Sequence, residues 1–321
     1  MTKLSYPKAL NKALRDEMER DPAVCVFGED IGAGIAQVTL GLLNKFGSDR
    51  VVDTPLSEQA FTSMAIGAAL CGMRPVIEFQ IPSLLFLTFE QIANQAHKMS
   101  LMTGGQVCVP VTYVVPGSGS RAGWAGQHSD HPYSLFTHVG VKTAVPATPT
   151  DAYGLLVSAI RDADPVVLFA PAGAMAVRDD VDSRALEPVP LGRARIHRAG
   201  TDVTVVAVGH LVHEALAVAD ELDGEISVEV FDPRTVYPFD WDGLAASIAK
   251  TGRLVTIDDS NRSCGIGAEI IATVTEEMTL VAPPKRVTRP DGAVLPFALE
   301  LDRAVQPSRE QLVTAIKTVM K

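Results

Sequence analysis

Val51-Val52-Asp53-Thr54-Pro55-Leu56-Ser57-Glu58 opens a segment that closes on Gly72-Met73-Arg74-Pro75-Val76-Ile77-Glu78. The β-branched run Arg50–Val52 reads as a strand, and Asp, Thr and Pro break it. Ser57 is a good N-cap residue, and behind it Phe61, Ala65 and Ala68 line a face small enough for close packing, so Ser57–Cys71 is a predicted helix. Pro75–Glu78 is a second apolar run. A strand, a helix and a strand within so short a span make a βαβ unit, the repeating piece of a parallel sheet covered by helices.

The same alternation extends in both directions. Val24–Phe27, Val109–Val114, Lys142–Ala144 and Val166–Phe169 are further strand candidates, each bounded by Gly, Pro, Asp or Thr. Pro7–Arg20 puts Leu10, Leu14 and Met18 on one helical stripe, and Asp151–Asp162 follows Thr150 as its cap. From Arg178 to Gly200 the periodicity fails, with Asp179, Asp180, Asp182, Pro188 and Pro190 in the way. A second series then begins: strands Asp202–Val208, Ser227–Phe231 and Leu254–Ile257, and helices Val212–Leu222, Trp241–Ala249, Ile266–Met278 and Arg309–Met320. The expectation is an α/β protein of two domains, residues 1–185 and 201–321, joined by a linker at 186–200.

A chain of 321 residues, 47% hydrophobic and 21% charged, can bury a sizeable core and is not disordered. With a net charge of −10 and no basic stripe, a nucleic-acid surface is excluded. Pro75–Phe89, the most apolar stretch, is interrupted by Glu78, Gln80 and Pro82, so it does not span a membrane. The N-terminus lacks an apolar signal core. Cys25, Cys71 and Cys108 sit inside apolar runs, Cys264 stands apart, and no C-x-x-C pair occurs. Buried free thiols in a reducing cytoplasm are expected.

Three segments place charges among turn residues near strand ends, where open α/β sheets hold their ligands: Gly28-Glu29-Asp30, Asp53-Thr54-Pro55-Leu56-Ser57-Glu58, and Gly126-Gln127-His128-Ser129-Asp130-His131. Alone, each also has a bland reading. Gly-Glu-Asp makes a turn, Glu58 complements a helix dipole, and His128 is a solvated loop residue. His128, Asp130 and His131 suggest a metal, but nothing elsewhere completes the set.

Taken in order, Phe27-Gly28-Glu29-Asp30, the Asp53–Glu58 motif, Ala65-Ile66-Gly67-Ala68-Ala69-Leu70 with Gly72-Met73-Arg74-Pro75-Val76, Met102-Thr103-Gly104-Gly105, Gln127-His128-Ser129, Pro146–Ala152, Ala159–Val166, Phe231–Asp240 and Leu295-Pro296-Phe297-Ala298 resemble one family along essentially the whole chain. That family is the β subunit of the decarboxylating component of 2-oxo acid dehydrogenase complexes (pyruvate, branched-chain 2-oxo acid and acetoin dehydrogenases). The resemblance implies a transketolase-like, pyrimidine-binding first domain and a transketolase-C-type second domain for subunit assembly and acyltransferase docking. It implies oxidative decarboxylation of a 2-oxo acid in the cytoplasm, with thiamine diphosphate as cofactor and acyl transfer to the lipoyl group of an acyltransferase core. Glu58 would hydrogen-bond the aminopyrimidine ring and help the thiazolium carbon lose its proton, which needs a carboxyl that shares a proton at neutral pH. Leu56, Phe61 and Met64 are the expected apolar wall.

Glu29, Leu84 and Phe86 are the other cofactor-binding candidates, and His128 would orient the substrate carboxylate and assist acyl transfer. The preceding run, Gly117 to Gly126, has a composition that suits a mobile lid. A structural K⁺ would sit on Val111, Ala159, Ile160, Asp162 and Asp164.

The chain departs from the family pattern at two places. Val114-Val115-Pro116 stands where an Arg is usual, and Leu84 stands where an aromatic ring would stack on the pyrimidine. The segment Gly-Asp-Gly, through which thiamine enzymes hold Mg²⁺ and the diphosphate, is absent. An α subunit is therefore expected to carry the metal, in a heterotetramer of two α and two β chains. The departures keep open an alternative, a two-chain carboligase or transketolase-like transferase, and a non-catalytic paralogue.

Overall fold

The structure, a computed structural model, describes residues 2–120, 122–181 and 185–321. Arg121 of the glycine-rich run, and Asp182 with its two followers in the Arg178–Gly200 stretch, lie outside the described residues. In chain order the strands are β1 (Thr2–Ser5), β2 (Val24–Gly28), β3 (Val51–Asp53), β4 (Arg74–Glu78), β5 (Thr112–Ser118), β6 (Lys142–Ala144), β7 (Val166–Pro171), β8 (Arg178–Val181), β9 (Arg195–Arg198), β10 (Val203–Ala207), β11 (Val228–Asp232), β12 (Thr235–Tyr237), β13 (Leu254–Asn261) and β14 (Lys285–Arg289).

A seven-stranded sheet runs β12-β6-β7-β5-β4-β2-β3 and a five-stranded sheet runs β14-β13-β10-β11-β9. Within these two sheets only the pairings of β12 and β9 are antiparallel, and both lie at an edge; β1 and β8 form a separate antiparallel pair. The interior strands β2, β10 and β11 are buried at every position. Parallel sheets with helices on both faces demand such unbroken apolar strands. Two of the three main apolar clusters flank the first sheet, and one of these reaches into the second half through Val206, Phe231 and Ile270. The two halves thus share a core. β12, donated by the second half, also completes the first sheet.

Tyr6–Arg20 buries the expected Leu10, Leu14 and Met18 stripe. Pro149–Arg161 is capped by Thr148 rather than by the expected Thr150, and the Thr148 Oγ1 accepts from the Asp151 N–H. Ser57 precedes the helix Glu58–Leu70 without a side-chain capping bond.

Other expectations shift. β5 starts at Thr112 rather than at Val109, because the Val111 N–H turns back across Pro110 to the Val109 carbonyl at 2.9 Å. Arg195–Arg198, inside the expected linker, pairs with β11. Leu84–Leu87, the π-helical Gln91–His97 and Met99–Met102 are helical where the sequence reading assigns no element. Of the cysteines only Cys25 is buried; Cys71, after the helix Glu58–Leu70, and Cys108, ahead of β5, are exposed like Cys264. An apolar neighbourhood in sequence does not set which way a side chain faces at an element's end. No helix among the described residues is long and apolar enough to cross a membrane.

Candidate active site

β2, β3 and β4 lie side by side and parallel, with Gly28 opposite both Asp53 and Glu78. Their C-terminal ends therefore deliver Glu29, Glu58 and Glu78 to one edge of the sheet, although these residues are far apart in sequence. Gly28 is the hinge of this arrangement. At φ +158 its missing side chain leaves room for the Glu78 carbonyl, which would lie 2.6 Å from an added Cβ.

Glu29 and Glu58 are 7% and 9% exposed, so both carboxyls are withdrawn from water. They hydrogen-bond each other, and burial, the charge of Glu58 and that shared bond push the Glu29 carboxyl up to about 7. The backbone N–H of Ser57 pulls in the opposite direction. Two carboxyls in contact cannot both ionise at little cost, so the pair retains a proton near neutrality. Glu29 Oε1 is buried with no partner.

The expected wall is present only in part. Phe61 is buried, but Leu56 is 81% and Met64 45% exposed, so the group facing Glu58 is a second carboxyl rather than an apolar surface. Glu78, which the sequence reading treats only as a break in an apolar stretch, belongs to this cluster. Burial pushes it up to about 7 against the pull of the Gln80 amide, which donates to Glu78 Oε1 at 2.6 Å. The same amide donates to the Glu29 carbonyl at 3.2 Å. An acid closing a fully apolar strand was the sequence signal for it.

Two contacts bring the remaining residues to this edge. Gln59 Nε2 donates to the Leu87 carbonyl at 3.1 Å, which ties the helix Glu58–Leu70 to the turn Leu84–Leu87. Leu84 is half-buried against the core and Phe86 is 49% exposed, so the aromatic face available in this turn is that of Phe86. Ser83 Oγ donates to the Gly126 carbonyl at 3.4 Å, which brings in the short 3₁₀ turn Gly126–His128. His128 is half-buried there, edge-on to Trp124 with ring centroids 5.9 Å apart.

His131 is not a partner of His128 for a metal; it points into the protein toward Asp259. Among the described residues, Asp151, His197 and Asp232 do gather ligand-type atoms. Arg234 already pairs with Asp151 at 2.8 Å and His197 with Asp232 at 3.1 Å, so an internal cation occupies that cluster.

Of the five positions expected around K⁺, Ile160, Asp162 and Asp164 are engaged by cationic side chains. The Arg74 guanidinium donates to the carbonyls of Ile160 (2.8 Å) and Asp162 (3.0 Å). Lys142 Nζ bridges the carboxylates of Asp162 (2.8 Å) and Asp164 (2.9 Å). The carbonyls of Ala159 and Val111 accept from the N–H groups of Asp162 and Val166.

A parallel-sheet edge bearing proton-sharing carboxyls, set beside a second α/β half, defines a class. Residues 2–176 match the transketolase pyrimidine-binding domain and residues 192–312 the transketolase C-terminal domain. The chain is 40% identical to the pyruvate dehydrogenase E1 component subunit beta-2, mitochondrial, of Oryza sativa subsp. japonica, over 98% of this chain and 85% of that protein. It is 41% identical to the acetoin:2,6-dichlorophenolindophenol oxidoreductase subunit beta of Cupriavidus necator, over 99% and 98%. The 3-methyl-2-oxobutanoate dehydrogenase subunit beta of Mycobacterium tuberculosis is also 41% identical, over 99% and 92%. A solved structure described as a split gene transketolase, inactive beta4 tetramer, superposes with a TM-score of 0.80 at 21% identity, covering 99% of this chain and 98% of that one, which bears on fold alone. The chain belongs to the family of 2-oxo acid and acetoin dehydrogenase β subunits.

Proposed function

We propose that this chain supplies the pyrimidine-binding half of a thiamine-diphosphate-dependent 2-oxo acid dehydrogenase site, which a separate α subunit completes. The observation that carries this reading is the Glu29–Glu58 pair. A carboxyl that keeps a proton near neutrality, beside a buried oxygen with no partner, is the donor–acceptor set an aminopyrimidine ring needs. When bound, the cofactor would supply a nucleophilic thiazolium carbon. Glu58 would hold the ring nitrogen, and Glu29 would share a proton with Glu58. Leu84 and Phe86 would pack against the ring, and His128 would orient the substrate carboxylate and assist transfer of the acyl group.

The diphosphate and Mg²⁺ belong to the α subunit in this reading, since Gly-Asp-Gly is absent here. Leu56 (81% exposed), Phe86 (49%) and Leu87 (47%) leave apolar surface open around the carboxyls, which supports a second chain covering them. The finer features of the proposal are an assembly of two α and two β chains, a lipoyl acyltransferase core as acyl acceptor, and a cytoplasmic setting. Residues 1–185 would serve cofactor binding and 201–321 assembly and docking, joined at 186–200. A K⁺ at Val111, Ala159, Ile160, Asp162 and Asp164 is compatible with the bonds already made there, because each carbonyl has two lone pairs.

The relatives favour this reading over a carboligase or a non-catalytic role. Co-expression with the α chain is expected to yield 2-oxo-acid-dependent reduction of an artificial electron acceptor. A folded complex inactive toward pyruvate, branched-chain 2-oxo acids and acetoin would overturn it.

A further inference from the structure

The loop carrying His128 leaves β5 at Ser118 and returns at His131. Its neck is closed twice: the Gly119 N–H donates to the Asp130 carbonyl at 2.6 Å, and Ser118 Oγ bonds His131 Nε2 at 2.9 Å. Ser118 and His131 are 0% and 4% exposed. Pressed against this neck is Asp259, from β13 in the other half of the chain. Its Oδ2 lies 3.6 Å from His131 Nδ1, longer than a hydrogen bond but within ion-pair range. A Cβ on Gly119 would lie 2.6 Å from Asp259 Oδ2 and 3.3 Å from His131 Nδ1, so only glycine, here at φ +85, lets the neck approach this closely.

Asp259 cannot yield, because Arg289 of β14 donates to its Oδ1 at 2.6 Å and both side chains are buried. Burial opposes its charge, yet Arg289 and then His131 hold the Asp259 carboxyl well below the usual carboxylate range. The second half also grips the loop at its flanks. Ser120 Oγ donates to Asp302 Oδ2 at 2.7 Å, and a side chain on Gly126, next to the His128 turn, would collide with Val294.

We propose that Asp259 is a positioning residue for the His128 loop, fixing its neck through His131 so that the second half of the chain sets where His128 stands. What the loop then does for catalysis rests on the function proposed above; that Asp259 holds it does not.

The test is Asp259→Asn in the complex assembled with the α chain, read by amide hydrogen exchange and by kinetics. Exchange of the amides from 122 to 130 is expected to accelerate about tenfold, with the remainder of the second half unchanged. Turnover to a lipoyl acceptor is expected to fall roughly tenfold to a hundredfold with little change in KM. In the double variant Asp259→Asn/His128→Ala, turnover should be no lower than in His128→Ala alone, because both changes remove the same action. Unchanged exchange in the loop, or two losses that multiply, would overturn the proposal. If Asp259→Asn does not fold, Ser118→Ala removes only the hydroxyl that clasps His131 and is judged by the same two readings. A wild-type complex without activity would sink the proposed function, while the exchange measurement still decides the role of Asp259.

Discussion

Glu29 and Glu58 are unremarkable acids until the sheet places them in contact. What matters chemically is the proton they retain, which an isolated acid at a helix N-terminus would give up. Replacing Glu58 by Gln keeps the size but removes an ionisable partner, so activity of the assembled complex is expected to fall ~10²–10⁴-fold, with assembly unaffected. A loss below tenfold in the acceptor-reduction assay would argue against its role. Glu78 makes a separate, measurable claim. Its ordinary value of 4.5 is raised to about 7 by burial. Between those values the folded chain keeps a proton that the unfolded chain has released, so the stability contributed at low pH is lost as pH rises through this window. Glu78→Gln is therefore expected to stabilise the fold by roughly 3 kcal/mol above about pH 8 and by little near pH ~4. Denaturant unfolding of both proteins at the two pH values checks this; an equal effect at both would refute the assignment. The sequence pointed to Glu58 and His128 through motif order. It did not show that the partner of Glu58 is Glu29 rather than Leu56 or Met64, because that depends on strand register.

At the scale of elements, strands buried on both faces were legible because they must be apolar throughout. The turns of Leu84–Met102 were not: Leu84–Phe89 is almost uniformly apolar and offers no contrast between faces, and Gln91–His97 winds as a π-helix, off the 3.6-residue period that marks an α-helix. Ends were the least legible: Thr148 rather than Thr150 caps Pro149–Arg161, and Ser57 makes no capping bond. The C-terminal helix Arg309–Val319 has a complete capping box between Ser308 and Gln311. Ser308→Ala should cost about 1 kcal/mol of unfolding free energy and leave activity intact, since the cap touches no part of the site. The end of Pro149–Arg161 carries the K⁺ expectation. Arg74 and Lys142 already neutralise much of the charge there, so an ion would add to a formed structure rather than create it. Potassium at ten times its dissociation constant would then add about 1.4 kcal/mol of stability. A melting temperature that responds equally to KCl and NaCl would remove the ion from the account.

For the molecule as a whole, two α/β halves were readable from the rhythm of the chain, but their mutual dependence was not. β12 crosses into the first sheet, the apolar cores merge, and Asp259 reaches the loop that bears His128. These contacts join residues far apart in the sequence, Thr235 to Ala144 and Asp259 to His131 among them, and no local pattern encodes them. The missing Gly-Asp-Gly was the one sequence feature that spoke at this scale, since it points to a site shared with another polypeptide. The most direct test is an experimental structure of this chain assembled with its α subunit and thiamine diphosphate. A Glu58 oxygen should lie about 3 Å from a pyrimidine ring nitrogen, with Glu29 against Glu58 and the phosphates on the other polypeptide. A pyrimidine bound elsewhere, or a Glu58 carboxylate turned to open solvent in that complex, would contradict the account.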